Sequence, residues 1–136
     1  MDVLLIVSGS LALTGAAIHG LGGELWVIRQ LSPAELPASR LGGPRLTMAM
    51  IHASWHMTTV GFLAAGIALL LAGTAVEGEA SRALAMFGAA SFTGFAAVAV
   101  ASGVVDSRSV KALLGHPGPA ILTATAALAW WGALTI

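Results

Sequence analysis

Residues 46–76 read LTMAMIHASWHMTTVGFLAAGIALLLAGTAV and contain no Asp, Glu, Lys or Arg. A transmembrane helix needs about 20 consecutive apolar residues, so this stretch is long enough to cross a bilayer as one helix. It also holds two histidines, His52 and His56, whose imidazoles need polar partners within an apolar run. The stretch therefore predicts a membrane-spanning helix that carries a polar site.

The composition of the whole chain supports the same class of protein. Of its 136 residues, 57% are hydrophobic and 9% are charged, and the mean hydropathy is +0.91. Soluble domains carry about 25% charged residues, so this chain has too little polar surface to cover a water-facing globule. Six basic residues balance six acidic ones, which argues against nucleic acid as a partner. Because the chain has no cysteine, a metal site has to use imidazole, carboxylate, thioether or backbone oxygen ligands.

Four apolar runs of this kind predict an all-α fold, an integral membrane four-helix bundle that forms a single transmembrane domain over residues 1–136. The predicted spans cover about residues 3–23, 46–73, 83–105 and 116–135. Basic residues in short loops favour the cytoplasmic side, and the first and third loops hold most of them: Arg29, Arg40, Arg45, Arg108 and Lys111. We therefore expect a protein of the cell's inner (plasma) membrane with both termini outside the cytoplasm.

All four histidines are predicted to lie in the cytoplasmic half of the bundle. His19 comes late in the first span, His52 and His56 come early in the second, and His116 opens the fourth. His52 and His56 are four residues apart, so they share one face of their helix. Counted from Leu46 as the membrane edge, His56 lies about 15 Å deep. Ionisable residues within a membrane usually face the bundle interior in a functional role.

Glu24, five residues after His19, adds a carboxylate to this set. Imidazoles combined with one carboxylate suit zinc or non-haem iron, and copper is a further candidate. Glu24 could instead fix an imidazole as its hydrogen-bond acceptor, or pair with Arg29. The sequence thus predicts a metal site whose candidate ligands are His19, Glu24, His52, His56 and His116.

The same histidines are candidate ligands of haem b, since two imidazoles from facing helices of a membrane bundle can hold its iron. His19 with His56, or His52 with His116, would supply such a pair.

A third alternative is a non-catalytic accessory subunit, scaffold or homo-oligomer, in which the histidines only hold helices together. The sequence lacks nucleophile, phosphate-loop and nucleotide motifs, which argues against an enzyme with a soluble substrate. An oxidoreductase acting on a lipid-soluble substrate such as a quinone stays open.

Three short motifs, HGLGGELW, SWHMTT and GHPGPAIL, are spread over most of the chain. In these motifs the chain resembles a group of small bacterial four-span membrane proteins of uncharacterised function. The shared features are a histidine shortly before a Gly-Glu pair, a Trp-His pair opening the second span, and a His-Pro pair before the last. The resemblance implies a functional set of His19, Glu24, His56 and His116, with His52 as an extra. It implies no activity.

Overall fold

The computed structural model describes residues 1–38, 40, 42–107 and 117–136, and these residues form four long helices. Helix α1 begins as an α-helix over Val3–Ala17, and the Asp2 side chain caps it by accepting a hydrogen bond from the Leu5 amide at 2.9 Å. A π-helical turn, Ile18–Gly22, and a last α-helical turn, Gly23–Trp26, extend the helix. The helical chain therefore continues beyond the predicted first span and carries Glu24 with it.

A loop that contains two prolines, Pro33 and Pro37, joins α1 to the second helix. It holds two 3-10 turns, Ile28–Gln30 and Pro33–Glu35, and then folds back on the next helix. There the Thr47 hydroxyl donates a hydrogen bond to the carbonyl of Pro37 at 3.0 Å. The loop is thus held against the first turns of the helix that carries two of the candidate histidines.

The remaining helices are α2, Pro44–Thr74; α3, Gly78–Ser107; and α4, Pro117–Thr135. Proline fits the first turn of a helix because the amide it lacks has no partner there, and Pro44 and Pro117 both take that place. The short connection from α2 to α3 turns at Gly78, whose φ of +63° lies in the left-handed region that glycine adopts without strain.

Each helix packs against its neighbours in the chain, and α4 closes the ring against α1. The Asp2 amide donates to the carbonyl of Gly73 at 2.9 Å, so the start of α1 lies beside the end of α2. Across the other contact of α1, the buried Ser8 hydroxyl donates to the carbonyl of Thr125 at 2.9 Å. The result is a four-helix bundle with neighbouring helices antiparallel.

The bundle core consists mostly of alanine with a few larger side chains, such as Leu5, Leu69 and Phe92. Glycines allow close approach: a Cβ at Gly66 would lie 3.0 Å from the Ala12 side chain. Small residues at helix contacts are typical of packing in lipid. Three of the described helical segments, Val3–Gln30, Pro44–Thr74 and Gly78–Val105, are long and apolar enough to cross a membrane.

Candidate metal centre

The π-helical turn sets the direction of the two candidate ligands on α1. His19 and Glu24 are five residues apart, so in a regular α-helix they would point about 140° apart. A π-turn closes i→i+5 hydrogen bonds, which places such residues nearly one above the other. In this turn the Gly23 amide lies against the carbonyl of Ile18, five residues back. Both side chains therefore reach α2.

The Glu24 carboxylate divides its two oxygens between different partners. Its Oε2 lies 3.0 Å from Nε2 of His52 and 3.3 Å from Nε2 of His56. Its Oε1 accepts from Nε of Arg29 at 3.3 Å. From the sequence, a pair with Arg29 and a contact with an imidazole were alternatives for Glu24. In the structure Glu24 makes both.

Glu24, His52 and His56 form a cluster that could hold a metal ion, and we call it the Glu–His cluster. One ligand atom from each residue lies within 4.8 Å of the other two. The imidazoles of His52 and His56 touch edge to face, with ring centroids 4.8 Å apart and an interplanar angle of 64°. Their spacing of four residues on one helix, recognised from the sequence, brings both Nε2 atoms to a single carboxylate from the other helix.

His19 is held by different partners on α2. Its Nδ1 lies 2.9 Å from the hydroxyl of Thr59, and its ring stacks on the indole of Trp55 with centroids 4.4 Å apart. The indole Nε1 in turn donates to the carbonyl of His19 at 2.9 Å. His19 is thus fixed next to the cluster, since Trp55 adjoins His56 in the chain, but it is not one of the three grouped ligands.

Two glycines of the first helix make this close packing against α2 possible. A Cβ at Gly20 would lie 2.7 Å from the methyl carbon of Thr59. A Cβ at Gly23 would overlap the indole of Trp55 outright. Both positions lie within the motif HGLGGELW, but the sequence gives no sign that they contact Trp55 and Thr59.

The Glu–His cluster opens toward the outside of the bundle. The side chains of His52 and His56 are 48% and 44% exposed, that of Glu24 is 22% exposed, and that of Arg29 is 66% exposed.

A separate groove of about 500 Å³ is lined by His19 and Trp55 together with Thr47, Met50, Ile51, Ser54 and Thr58. Neither histidine of the cluster lines that groove.

The predicted site residues therefore fall into three groups. Glu24, His52 and His56 come together in the cluster. His19 lies beside it on Thr59 and Trp55. His116 lies outside the described residues. The sequence argument placed His56 above His52 as a ligand, whereas in the structure both imidazoles contact the same carboxylate oxygen.

Comparison with known proteins found no family model that matches the chain, no curated protein similar to it and no solved structure that resembles it.

Proposed function

We propose that the chain is an integral membrane protein that binds a transition metal ion through Glu24, His52 and His56. The observation that carries this proposal is the convergence of three ligand atoms from two helices within 4.8 Å. Two imidazoles and one carboxylate are the ligand set of many zinc and non-haem iron sites, and imidazole also suits copper. The ion would therefore be zinc, iron or copper.

The two distances from Glu24 to the imidazoles match the separation expected between two ligands of one metal ion. Two ligand atoms that each lie about 2.1 Å from a tetrahedral zinc ion are about 3.4 Å apart. The two Glu24–imidazole distances are 3.0 and 3.3 Å. A hydrogen-bonded cluster without metal has similar distances. Measured metal content therefore separates the two cases.

The membrane part of the proposal rests on the three apolar helical segments, whose mean hydropathies are 1.7, 1.8 and 1.8. The fourth helix, Pro117–Thr135, has 19 residues and is about 28 Å long, close to the thickness of the hydrocarbon layer. In the bacterial inner membrane the orientation predicted from the basic loops puts the cluster toward the cytoplasm.

His19 and His116 are proposed as hydrogen-bonding neighbours of the bound ion. His19 is fixed on Thr59 and Trp55, close to the cluster. His116 directly precedes Pro117, the first residue of α4. Thr125 of α4 contacts Ser8, and Gly132 packs on Leu5, so α4 begins at the end of the bundle where α1 carries Glu24.

Purification in detergent followed by elemental analysis tests the proposal. We expect about one zinc, iron or copper ion per chain in the wild-type protein and loss of that ion in Glu24→Gln and in the double variant His52→Asn/His56→Asn. Removing a residue that only supports a ligand typically lowers metal affinity about 10- to 100-fold. Removing a ligand is expected to lower it at least as much, measured by competition with a chelator.

Glu35→Gln is the matched control, because Glu35 is an exposed carboxylate in the loop after α1 and is not part of the cluster. It should leave the metal content unchanged. A Soret band that disappears in His56→Asn would assign haem b instead. Wild-type protein that stays colourless and metal-free after growth with iron, zinc and copper would contradict the proposal and favour a scaffold.

A further inference from the structure

A divalent ion in the Glu–His cluster would have unfilled coordination positions. The cluster offers three ligand atoms among the described residues, whereas zinc takes at least four ligands and non-haem iron commonly six. Metal sites that bind an external ligand keep such a position open. The side chains of His52 and His56 are nearly half exposed, so the open side of the cluster faces outward rather than into the helix core.

The charge of the loaded cluster favours an anion at that position. A divalent ion contributes +2, Glu24 contributes −1 and Arg29 contributes +1, while metal-bound imidazoles are neutral. Among the described residues that form the cluster, the sum is +2. Positive charge next to an apolar environment is costly unless an anion accompanies it. The ligand that completes the site is therefore expected to carry negative charge.

The guanidinium of Arg29 lies next to the cluster and is positioned to donate hydrogen bonds to such an anion. Within the part of the chain that the structure describes, its Nε contacts Oε1 of Glu24 at 3.3 Å, and its side chain is 66% exposed. The four N–H groups on its terminal nitrogens form a planar fork that matches the oxygens of a phosphate or a carboxylate. The 3-10 turn Ile28–Gln30 follows the end of the helix directly and carries this guanidinium at the Glu24 end of the cluster.

We propose that the metal-loaded cluster binds an oxyanion, one of whose oxygens occupies the open position on the ion while another contacts the guanidinium of Arg29. This proposal rests on the metal site proposed above. The oxyanion is either the phosphate of a lipid headgroup or a free phosphate or carboxylate. Both sources share the chemistry of adjacent, negatively charged oxygens.

Cobalt-loaded protein in a non-ionic detergent provides the test, because the visible absorption of Co²⁺ changes with its ligands. Inorganic phosphate added to the desalted protein should shift this absorption and saturate. Arg29→Gln should raise the dissociation constant for phosphate at least tenfold when both proteins are compared at a cobalt concentration that loads them fully. Arg82→Gln is the matched control, because Arg82 lies in the first turns of α3 at the opposite end of the bundle.

Reconstitution distinguishes the two sources of the oxyanion. If a lipid phosphate is the ligand, protein in vesicles should show the shifted absorption before inorganic phosphate is added, and more fully with phosphatidic acid, an anionic phosphate monoester, than with phosphatidylcholine, whose phosphodiester is paired with a choline cation. If a free oxyanion is the ligand, the absorption should shift only after phosphate is added, in phosphatidic acid and phosphatidylcholine vesicles alike. Either result supports an oxyanion site.

Three results would overturn the proposal. Cobalt absorption that does not respond to phosphate in detergent or in either kind of vesicle would show that no oxyanion reaches the ion. Equal phosphate affinity in the wild-type and Arg29→Gln proteins would show that Arg29 does not contact the oxyanion. Wild-type protein that binds no cobalt, zinc or iron would overturn the metal site as well, and the metal content thus distinguishes the two failures.

Discussion

Gly23 is the residue where α1 and α2 come closest at the candidate site. A Cβ added there would overlap the indole of Trp55. The indole cannot easily move away, because its Nε1 donates to the carbonyl of His19 and its face stacks on the His19 imidazole. The absence of a side chain at Gly23 therefore lets the neighbouring Glu24 reach the two histidines of α2.

Gly23→Ala is expected to weaken both the fold and the metal site. Overpacking a close contact typically costs about 1–3 kcal/mol, and the displaced helix would carry Glu24 away from His52 and His56. Gly15→Ala is the matched control, since a Cβ at Gly15 meets no atom within 4 Å. It should leave stability unchanged or raise it by up to about 1 kcal/mol. Thermal unfolding and chelator competition measure the two effects, and equal behaviour of the two variants would contradict this role of Gly23.

At the residue scale, the sequence predicted which side chains come together better than how they pair. It identified Glu24 and the i, i+4 pair of His52 and His56, because carboxylates and imidazoles are conspicuous in an apolar chain. It ranked His56 above His52, whereas both imidazoles contact one carboxylate oxygen that comes from another helix. The contact of His19 with Thr59 depends on the same packing between helices.

The π-helical turn Ile18–Gly22 lets the side chains of His19 and Glu24 both reach α2, although the two residues are five positions apart. Sequence periodicity predicts an α-helix, in which this spacing sends the two side chains about 140° apart. The turn contains one residue more than a regular α-helix would need, and Leu21 within it is 70% exposed. The local geometry could not be read from the sequence, because packing against α2 selects the π-turn over the regular helix.

Deleting Leu21 is therefore expected to preserve the metal site. The deletion leaves His19 and Glu24 four residues apart, and in an α-helix that spacing keeps them within about 40° of one another. Metal content and chelator competition should match those of Leu21→Ala, which keeps the chain length. Inserting an alanine after Leu21 lengthens the spacing to six residues and should abolish binding. Loss of metal in the deletion variant, with Leu21→Ala unaffected, would show that the π-turn itself is required.

The position of the Glu–His cluster relative to a membrane follows from the lengths of the helices. The charge-free residues 3–23 of α1 are about 31 Å long, which is about the hydrocarbon thickness of a bilayer. Helix α2 has 31 residues and is about 46 Å long, so it exceeds that thickness. For a bilayer with one hydrocarbon boundary at the Asp2–Gly73 end, Glu24 would lie at the opposite boundary, with His52 and His56 beside it.

The sequence estimate takes Leu46 as the membrane edge instead and puts His56 about 15 Å deep. The charge-free run of residues 46–76 is longer than a bilayer is thick, so the sequence alone does not fix which part of α2 lies in lipid. A boundary position also brings the cluster to the depth of lipid headgroups, where an oxyanion is available.

Cysteine labelling tests the membrane placement and its orientation, because the chain has no cysteine of its own. In intact spheroplasts, a membrane-impermeant maleimide should label Glu77→Cys, between α2 and α3, and should label Glu35→Cys only after lysis. The reason is the excess of basic residues in the loop that contains Glu35, which favours the cytoplasmic side.

Val60→Cys supplies the control for burial in lipid, since Val60 lies within α2 and its side chain is 64% exposed in the isolated bundle. A thiol surrounded by hydrocarbon stays protonated and unreactive, so it should remain unlabelled before and after lysis. Labelling of Val60→Cys as fast as Glu77→Cys would mean that water, and not lipid, covers this face. Labelling of Glu35→Cys in intact spheroplasts, with Glu77→Cys protected, would invert the orientation and place the Glu–His cluster at the outer surface of the membrane.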